Sequence, residues 1–329
     1  VLITGGMGFI GSNLARRLAG LNAHITLVDS LIPEYGGNSF NIAGIEQQVH
    51  VNIADVRDEH AMRYLVRGHD FLFNLAGQTS HMDSMQDPYT DLEINSRAQL
   101  SILEACRKEN PAIRIVFAST RQVYGKPDSL PVDESHPLRP VDVNGINKLA
   151  GEWYHILYNN VYGVRACALR LTNTYGPRMR VIDARQTFLG VWVRLLVEGK
   201  PFDVWGGDQL RDFTYVDDAV EAFLAAVACE EAADHREPVW GNIYNIGGQG
   251  GAEGVVTLRE LAALLLAANG GGAWNLRTFP ADRKRIDIGD YYADDRAFRT
   301  ALGWEPVVSL RDGLVRTLEY YKQHLAHYV

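Results

Sequence analysis

Thr4-Gly5-Gly6-Met7-Gly8-Phe9-Ile10-Gly11 follows the apolar run Val1-Leu2-Ile3 and leads into a segment with Ile10, Leu14 and Leu18 at helical spacing. A GxxGxxG set between a strand and a helix has a mechanical meaning that the same glycines lack elsewhere. Gly5 permits the sharp turn, Gly8 lets the backbone approach a diphosphate, and Gly11 allows the helix to pack closely on the sheet. Phe9 and Ile10 then stand at the helix N-terminus, where free amide donors and the helix dipole favour an anion. One face of this helix is expected to be buried, with Arg16 and Arg17 turned away from it.

Outward from this turn, apolar strand-like runs at 1–3, 25–28, 49–53, 71–75, 113–118 and 166–171 alternate with helix-period segments. The rhythm predicts an α/β fold, a Rossmann-type doubly wound parallel sheet with helices on both faces. Asp29 closes the second run, where a carboxylate can accept both hydroxyl protons of an adenine ribose and repel a 2′-phosphate, so NAD is favoured over NADP. A turn or helix-capping role is the plain alternative for Asp29. Asp55 and Val56, after the third run, are placed to flank the adenine. Leu75 and Ala76, after the fourth, are placed against the diphosphate, since ligands of such sheets collect at the carboxyl ends of the strands.

Past Gly176-Pro177 the pattern loosens, with helices expected near 187–198, 217–228, 258–268 and 310–321. The expected division is a Rossmann domain over residues 1–176 and a smaller α/β region over 177–329, mainly substrate-binding and open to interleaving with the first. Glycine-rich stretches at 247–254 and 270–272 read as surface loops. Two longer helical stretches, 89–108 and 148–162, carry more apolar and aromatic surface than one sheet contact requires. They read as ordinary core or as a pairing surface across a homodimer.

At 329 residues and 47% hydrophobic, the chain can bury one large core or two unequal ones, which argues against disorder. A net charge of -8 with scattered Lys and Arg argues against nucleic acid as a partner, because that grip needs a concentrated basic face. Cys106, Cys167 and Cys229 lie far apart without a CxxC or Cys/His cluster, so neither a disulfide framework nor a metal site is expected. No apolar run approaches the roughly 18 residues that span a bilayer. No signal-like segment precedes the first strand, so the expectation is a cytoplasmic protein without a membrane partner. Because the chain opens inside a strand, a few further residues are expected before Val1.

TGGMGFIG at Thr4, DVRD at Asp55, NLAG at Asn74, RLTNTYGPR at Arg170 and LRDFTYVDD at Leu210 together resemble the NAD-dependent epimerase/dehydratase family of nucleotide sugars, within the extended short-chain dehydrogenases/reductases. ADD at Ala293 and LGWEP at Leu302 extend the resemblance over nearly the whole chain. It implies NAD as cofactor and a nucleotide-diphosphate sugar as partner. The implied chemistry is transient oxidation of a sugar hydroxyl to a ketone, from which epimerisation, elimination or decarboxylation can follow while the cofactor is regenerated in place.

In that family a Ser or Thr and a YxxxK pair handle the proton. Thr120 matches the hydroxyl residue, and Lys148, in NGINKLAGE, matches the lysine that would also hold the nicotinamide ribose. The tyrosine position holds Asn144, and an amide cannot serve as a base. Another acceptor is therefore implied. His81, in the loop Gln78-Thr79-Ser80-His81-Met82-Asp83-Ser84, is the chemically best-suited candidate, with a merely hydrogen-bonded residue as the alternative. Tyr175 is a further candidate.

On the substrate side, the resemblance puts Arg211 at the phosphate-binding position and Asn173 at the amide facing the diphosphate. Arg283 is a looser match within Arg283-Lys284-Arg285, with a solvated charge as its alternative. Trp205 lies where relatives place residues around the base, or else in core. Arg121-Gln122 stand where the family's dehydratases carry Asp-Glu, which disfavours that elimination; Arg121 reads as a partner for a sugar carboxylate or as a surface residue closing a turn. The implied activity is nucleotide-sugar epimerisation. Its alternatives are a catalytically silent NAD/nucleotide-sugar binder, for which Asn144 speaks, a decarboxylase or dehydratase, and a reductase that releases its cofactor each turn.

Overall fold

The computed structural model describes residues 1–35, 37–229, 239–250 and 254–329. The six apolar runs form strands β1 (Leu2–Thr4), β2 (Ile25–Asp29), β3 (Val49–Ile53), β4 (Phe71–Asn74), β5 (Arg114–Thr120) and β6 (Ala166–Leu171). With Ile243–Ile246 they make one seven-stranded sheet in the order Ile243–Ile246, β6, β5, β4, β1, β2, β3. Every neighbouring pair is parallel. Helices cover both faces, so β1 and β6 are buried along their whole length and read as continuous apolar runs. The strand order reverses at β1, between β2 and β4, and that switch point opens a crevice at the carboxyl ends.

Helix α1 (Phe9–Ala19) buries Leu14 and Leu18 and leaves Arg17 at the surface beside Glu221. Arg16 departs from the expected outward pose. Its guanidinium donates to the Ala43 carbonyl at 2.7 Å, at the end of the 3₁₀ turn Ser39–Ile42, where carbonyls lack partners of their own.

The helical stretch expected over 89–108 is broken. Asp87 caps Pro88–Leu92, a π-helical turn follows at Glu93–Arg97, and Ala98–Glu109 resumes the α-helix. The wider turn carries Asn95, whose amide donates inward to the Gln78 carbonyl and to Asp91. Val143–Tyr162 starts at Asp142, whose carboxylate accepts the Gly145 amide, and stops at Gly163 in the left-handed conformation.

Ile243–Ile246 pairs with β6 from within the second half of the chain, so the sheet is completed across the expected division at residue 176. The helices expected beyond that point lie at Phe188–Val197, Val216–Ala228, Leu258–Asn269 and Leu310–His324. Small strand pairs join Asn173–Tyr175 to Phe213–Tyr215 and Phe202–Trp205 to Trp274–Arg277. Gly270 is the left-handed cap of Leu258–Asn269, and residues 251–253 of the other glycine-rich stretch lie outside the described residues. Among the described residues no helix is long and apolar enough to cross a membrane.

Candidate active site

At the β1 turn Gly5 has φ 66, and a Cβ on Gly11 would lie 2.2 Å from the Gly5 carbonyl oxygen. No side chain fits there. Gly8 caps α1 with extended backbone and no side-chain hydrogen bond, which leaves the helix N-terminus open to an anion. Across the turn, Asp29 accepts the Met7 amide at 3.0 Å and the Leu31 amide at 2.9 Å. Burial raises its pKa, and those amides oppose the shift. Glycine cradle, bare cap and positioned carboxylate fit the diphosphate and ribose of NAD.

A cavity of about 860 Å³ runs from this turn past β5 and Val143–Tyr162 to the loops of the second half. It is bordered by Gly5, Gly8, Phe9, Ile10, Gly11, Asp29, Asp55, Val56, Leu75 and Ala76 on one side. His81, Thr120, Arg121, Asn144, Lys148, Asn173, Arg211 and Arg283 border the rest. Asp55 is paired with Arg57 at 2.6 Å, which lowers its pKa. Tyr175 does not belong to this set. Its hydroxyl donates to the Leu310 carbonyl at 3.2 Å, and Gly313 packs so closely that a Cβ there would meet that hydroxyl at 2.0 Å.

Between β5 and the long helix, Lys148 donates to the Ala118 carbonyl at 3.1 Å and lies 5.0 Å from the Phe117 ring centre. Burial pushes its pKa down to about 8, with the Asp91 charge opposing. Thr120 caps the 3₁₀ turn Arg121–Tyr124, accepting the Gln122 amide at 3.3 Å, and so keeps its own proton to donate. Asn144 gives its amide hydrogens to the Gln78 carbonyl at 2.8 Å and to Asp91 at 3.0 Å. Asn95 and Asn147 also donate to Asp91, so three neutral amides satisfy a fully buried carboxylate. What Asn144 can still offer a ligand is its acceptor oxygen. His81 Nδ1 stands 2.9 Å from Asp142, itself buried.

At the substrate end, Arg121 is turned inward, contrary to the surface-turn alternative. It donates to Asn173 Oδ1 at 2.9 Å and lies 5.5 Å from the Tyr291 ring centre. Its Nη1 is buried without a hydrogen-bond partner among the described residues. Burial, reinforced by Arg211, pushes its pKa down to about 10. Asn173 is committed at both ends, since its Nδ2 donates to the Asp212 carbonyl at 2.9 Å. Arg211 is held by the Leu210 and Gly289 carbonyls and by Asp287. Arg283 lies 4.4 Å from the ring centre of Trp205, and both border the cavity, so Trp205 belongs to its wall.

The sequence reading missed Asp91, Asp142 and the pair Glu152–Arg170. Asp142 is a residue type favoured at N-caps and precedes a helical segment, which could have located it as a cap but not as a partner of His81. Glu152 accepts from Arg170 at 2.6 and 2.9 Å and from Ser119 at 2.6 Å, and Arg170 also reaches the Tyr124 hydroxyl at 2.7 Å. Burial disfavours the Arg170 charge, but Glu152 outweighs this and raises its pKa. The network clamps the helix of Lys148 to the strand of Thr120.

The model of the NAD dependent epimerase/dehydratase family matches residues 1–247. The chain is 30% identical to a dTDP-glucose 4,6-dehydratase of Streptomyces niveus, covering 99% of this chain and 94% of that one. It is 27% identical to the structure of a UDP-glucose 4-epimerase from Thermotoga maritima with UDP-glucose, TM-score 0.85, covering 98% and 99% of the two chains. It is 26% identical to a UDP-glucuronic acid 4-epimerase from Bacillus cereus in complex with UDP-glucuronic acid and NAD, TM-score 0.83, covering 98% of each.

Proposed function

Because this chain belongs to the NAD-dependent epimerase/dehydratase family, we propose that it is a nucleotide-sugar epimerase working through transient oxidation of a sugar hydroxyl to a ketone. The observation that carries epimerisation over water elimination is the pair that follows Thr120: a cation, Arg121, and an amide, Gln122. Neither side chain supplies the acid and base that elimination needs.

When bound, the dinucleotide supplies the reversible oxidation. The chain's residues do the rest. Thr120 donates to the reacting oxygen, Asn144 accepts from a neighbouring hydroxyl, and Lys148 adds positive charge and holds the ribose. Arg121, Arg211 and Arg283 recognise the anionic groups of the sugar nucleotide, with Asn173 setting the pose of Arg121. A silent binder is the second reading, favoured by the commitment of Asn144 to Asp91 and Gln78. A cytoplasmic homodimer completes the proposal. Ile146, Trp153, Leu157 and Val161 form an apolar stripe about half exposed along Val143–Tyr162, beside exposed Tyr89, and a second copy would cover it.

The test is incubation with UDP-, dTDP-, GDP- and CDP-sugars in deuterated water, following product and label position. An epimer supports the proposal: an unlabelled product marks inversion by return of the hydride to the ketone, and label on the inverted carbon marks inversion by deprotonation of its C–H. Loss of water or carbon dioxide rejects epimerisation. Silence across the panel favours the binder.

Asp29→Asn is expected to weaken NAD binding about 10- to 100-fold and to narrow the preference over NADP, because a charged hydrogen-bond acceptor is lost and a repulsion removed. Titration of each dinucleotide against tryptophan fluorescence reads this. Unaltered NAD affinity would take Asp29 off the ribose.

A further inference from the structure

We propose that His81 and Asp142 form a proton-accepting pair, His81 as the catalytic base and Asp142 as its positioning residue, in place of the tyrosine that Asn144 replaces; this rests on the epimerase reading above. The two side chains differ sharply in exposure, 38% for His81 and 1% for Asp142. Asp142 Oδ1 accepts the Gly145 amide at 2.6 Å, and Oδ2 accepts from Gln122 Nε2 at 3.3 Å. The pair requires the proton of the neutral ring on His81 Nδ1, 2.9 Å from Oδ2, with the lone pair on Nε2. Gln122 Nε2 also lies in hydrogen-bond reach of Nδ1, at 3.2 Å, and as an amide donor it competes with Asp142 for that nitrogen, so the proposed tautomer requires Gln122 to give its hydrogen to Oδ2 instead. Among the described residues Nε2 has no hydrogen-bond partner, and the ring borders the same cavity as Thr120, Asn144 and Lys148.

The carboxylates along the cavity are committed. Asp29 is held by backbone amides. Asp55, Asp83, Asp183, Asp203 and Asp287 are paired with arginines. Tyr35 is the one tyrosine among the described residues on this lining. Burial raises its pKa, and its charged neighbours are Asp87, Arg57, Asp83 and Glu34. Lys148 is already a donor to Ala118.

In the proposed step the sugar O–H bond breaks and its proton passes to His81 Nε2. The O–H electron pair becomes the second C–O bond. The hydrogen on that carbon leaves with its bonding pair to the oxidised dinucleotide that the family's chemistry supplies. Asp142 stabilises the resulting imidazolium, which returns the proton when the ketone is reduced.

The experiment uses the full-length protein with a sugar nucleotide that the wild type converts. His81→Gln should lower turnover roughly 10²- to 10⁴-fold while calorimetric binding of UDP-glucose persists. Added imidazole should restore part of the turnover of His81→Ala. Long-range proton–nitrogen NMR should find the His81 proton on Nδ1 in wild type. In Asp142→Asn, which keeps a competent helix cap, the proton should shift toward Nε2 as kcat falls with little change in KM. Full turnover in His81→Gln, or an Nε2-protonated ring in wild type, overturns the pair and leaves the epimerase reading standing. A wild type silent across the whole sugar-nucleotide panel overturns both, and is told apart because no variant is needed to see it.

Discussion

Lys148→Met is expected to cut turnover roughly 10²- to 10⁴-fold and to release bound NAD, while the cofactor-free protein becomes harder to unfold. The two effects share one cause. Lys148 is an ammonium buried among Phe117, the Ala118 carbonyl and the backbone of Gly77, where a Cβ would already lie 2.9 Å from Nζ. With its pKa down to about 8 from the ordinary 10.5, holding that charge at neutral pH costs the apo fold on the order of 3 kcal/mol.

Methionine fills similar volume without the charge, so a higher melting temperature is the expected readout at pH 7. The sign with pH follows. The unfolded chain binds the lysine proton more tightly than the folded one, so wild-type stability recovers as pH rises from about 8 toward 10.5, and the gap to Lys148→Met closes. Equal turnover in the variant would remove Lys148 from the chemistry. A lower melting point at pH 7 would remove the burial argument.

Glu152→Ala should destabilise the protein by about 3–5 kcal/mol, because it strands Arg170 as an unpaired charge in the core. Glu152 and Arg170 are 0% and 2% exposed, which leaves water little access to take over. Ser119 loses its acceptor in the same substitution. Urea unfolding measures the loss, and Glu152→Gln, which keeps an acceptor oxygen, should fall between alanine and wild type. A loss below about 1 kcal/mol would show that Arg170 finds another partner. Since Ser119 precedes Thr120 and Glu152 lies one turn beyond Lys148, turnover should fall even where the variant stays folded.

How far the site could be read in advance depends on the kind of constraint. Gly5, Gly11 and Asp29 were legible because each answers a local demand: a left-handed turn, a close helix approach, a carboxylate at a strand end. The break in the helix expected over 89–108 was not, because the π turn at Glu93–Arg97 carries Asn95 to the Gln78 carbonyl, a partner outside that stretch. Arg121 was left between two readings, since nothing in Thr-Arg-Gln tells whether the side chain turns to water or to Asn173. Tyr175 stood in a suggestive motif, yet Leu310 and Gly313, far along the chain, claim its hydroxyl and ring.

The chain's own order of residues was enough to specify the parallel sheet, the glycine turn and the carboxylate that closes β2, since these arise from periodicity and from backbone geometry within a few positions. Folding alone decided the chemistry of the residues that line the cavity. Asn144 meets Asp91 across 53 positions and Gln78 across 66, and His81, which opens the short helix His81–Gln86 where a loop was expected, meets Asp142 only because that helix and the long one converge. Which proton a side chain can hold or give is set by the partners packed against it, and packing brings those partners from parts of the chain that no local pattern connects.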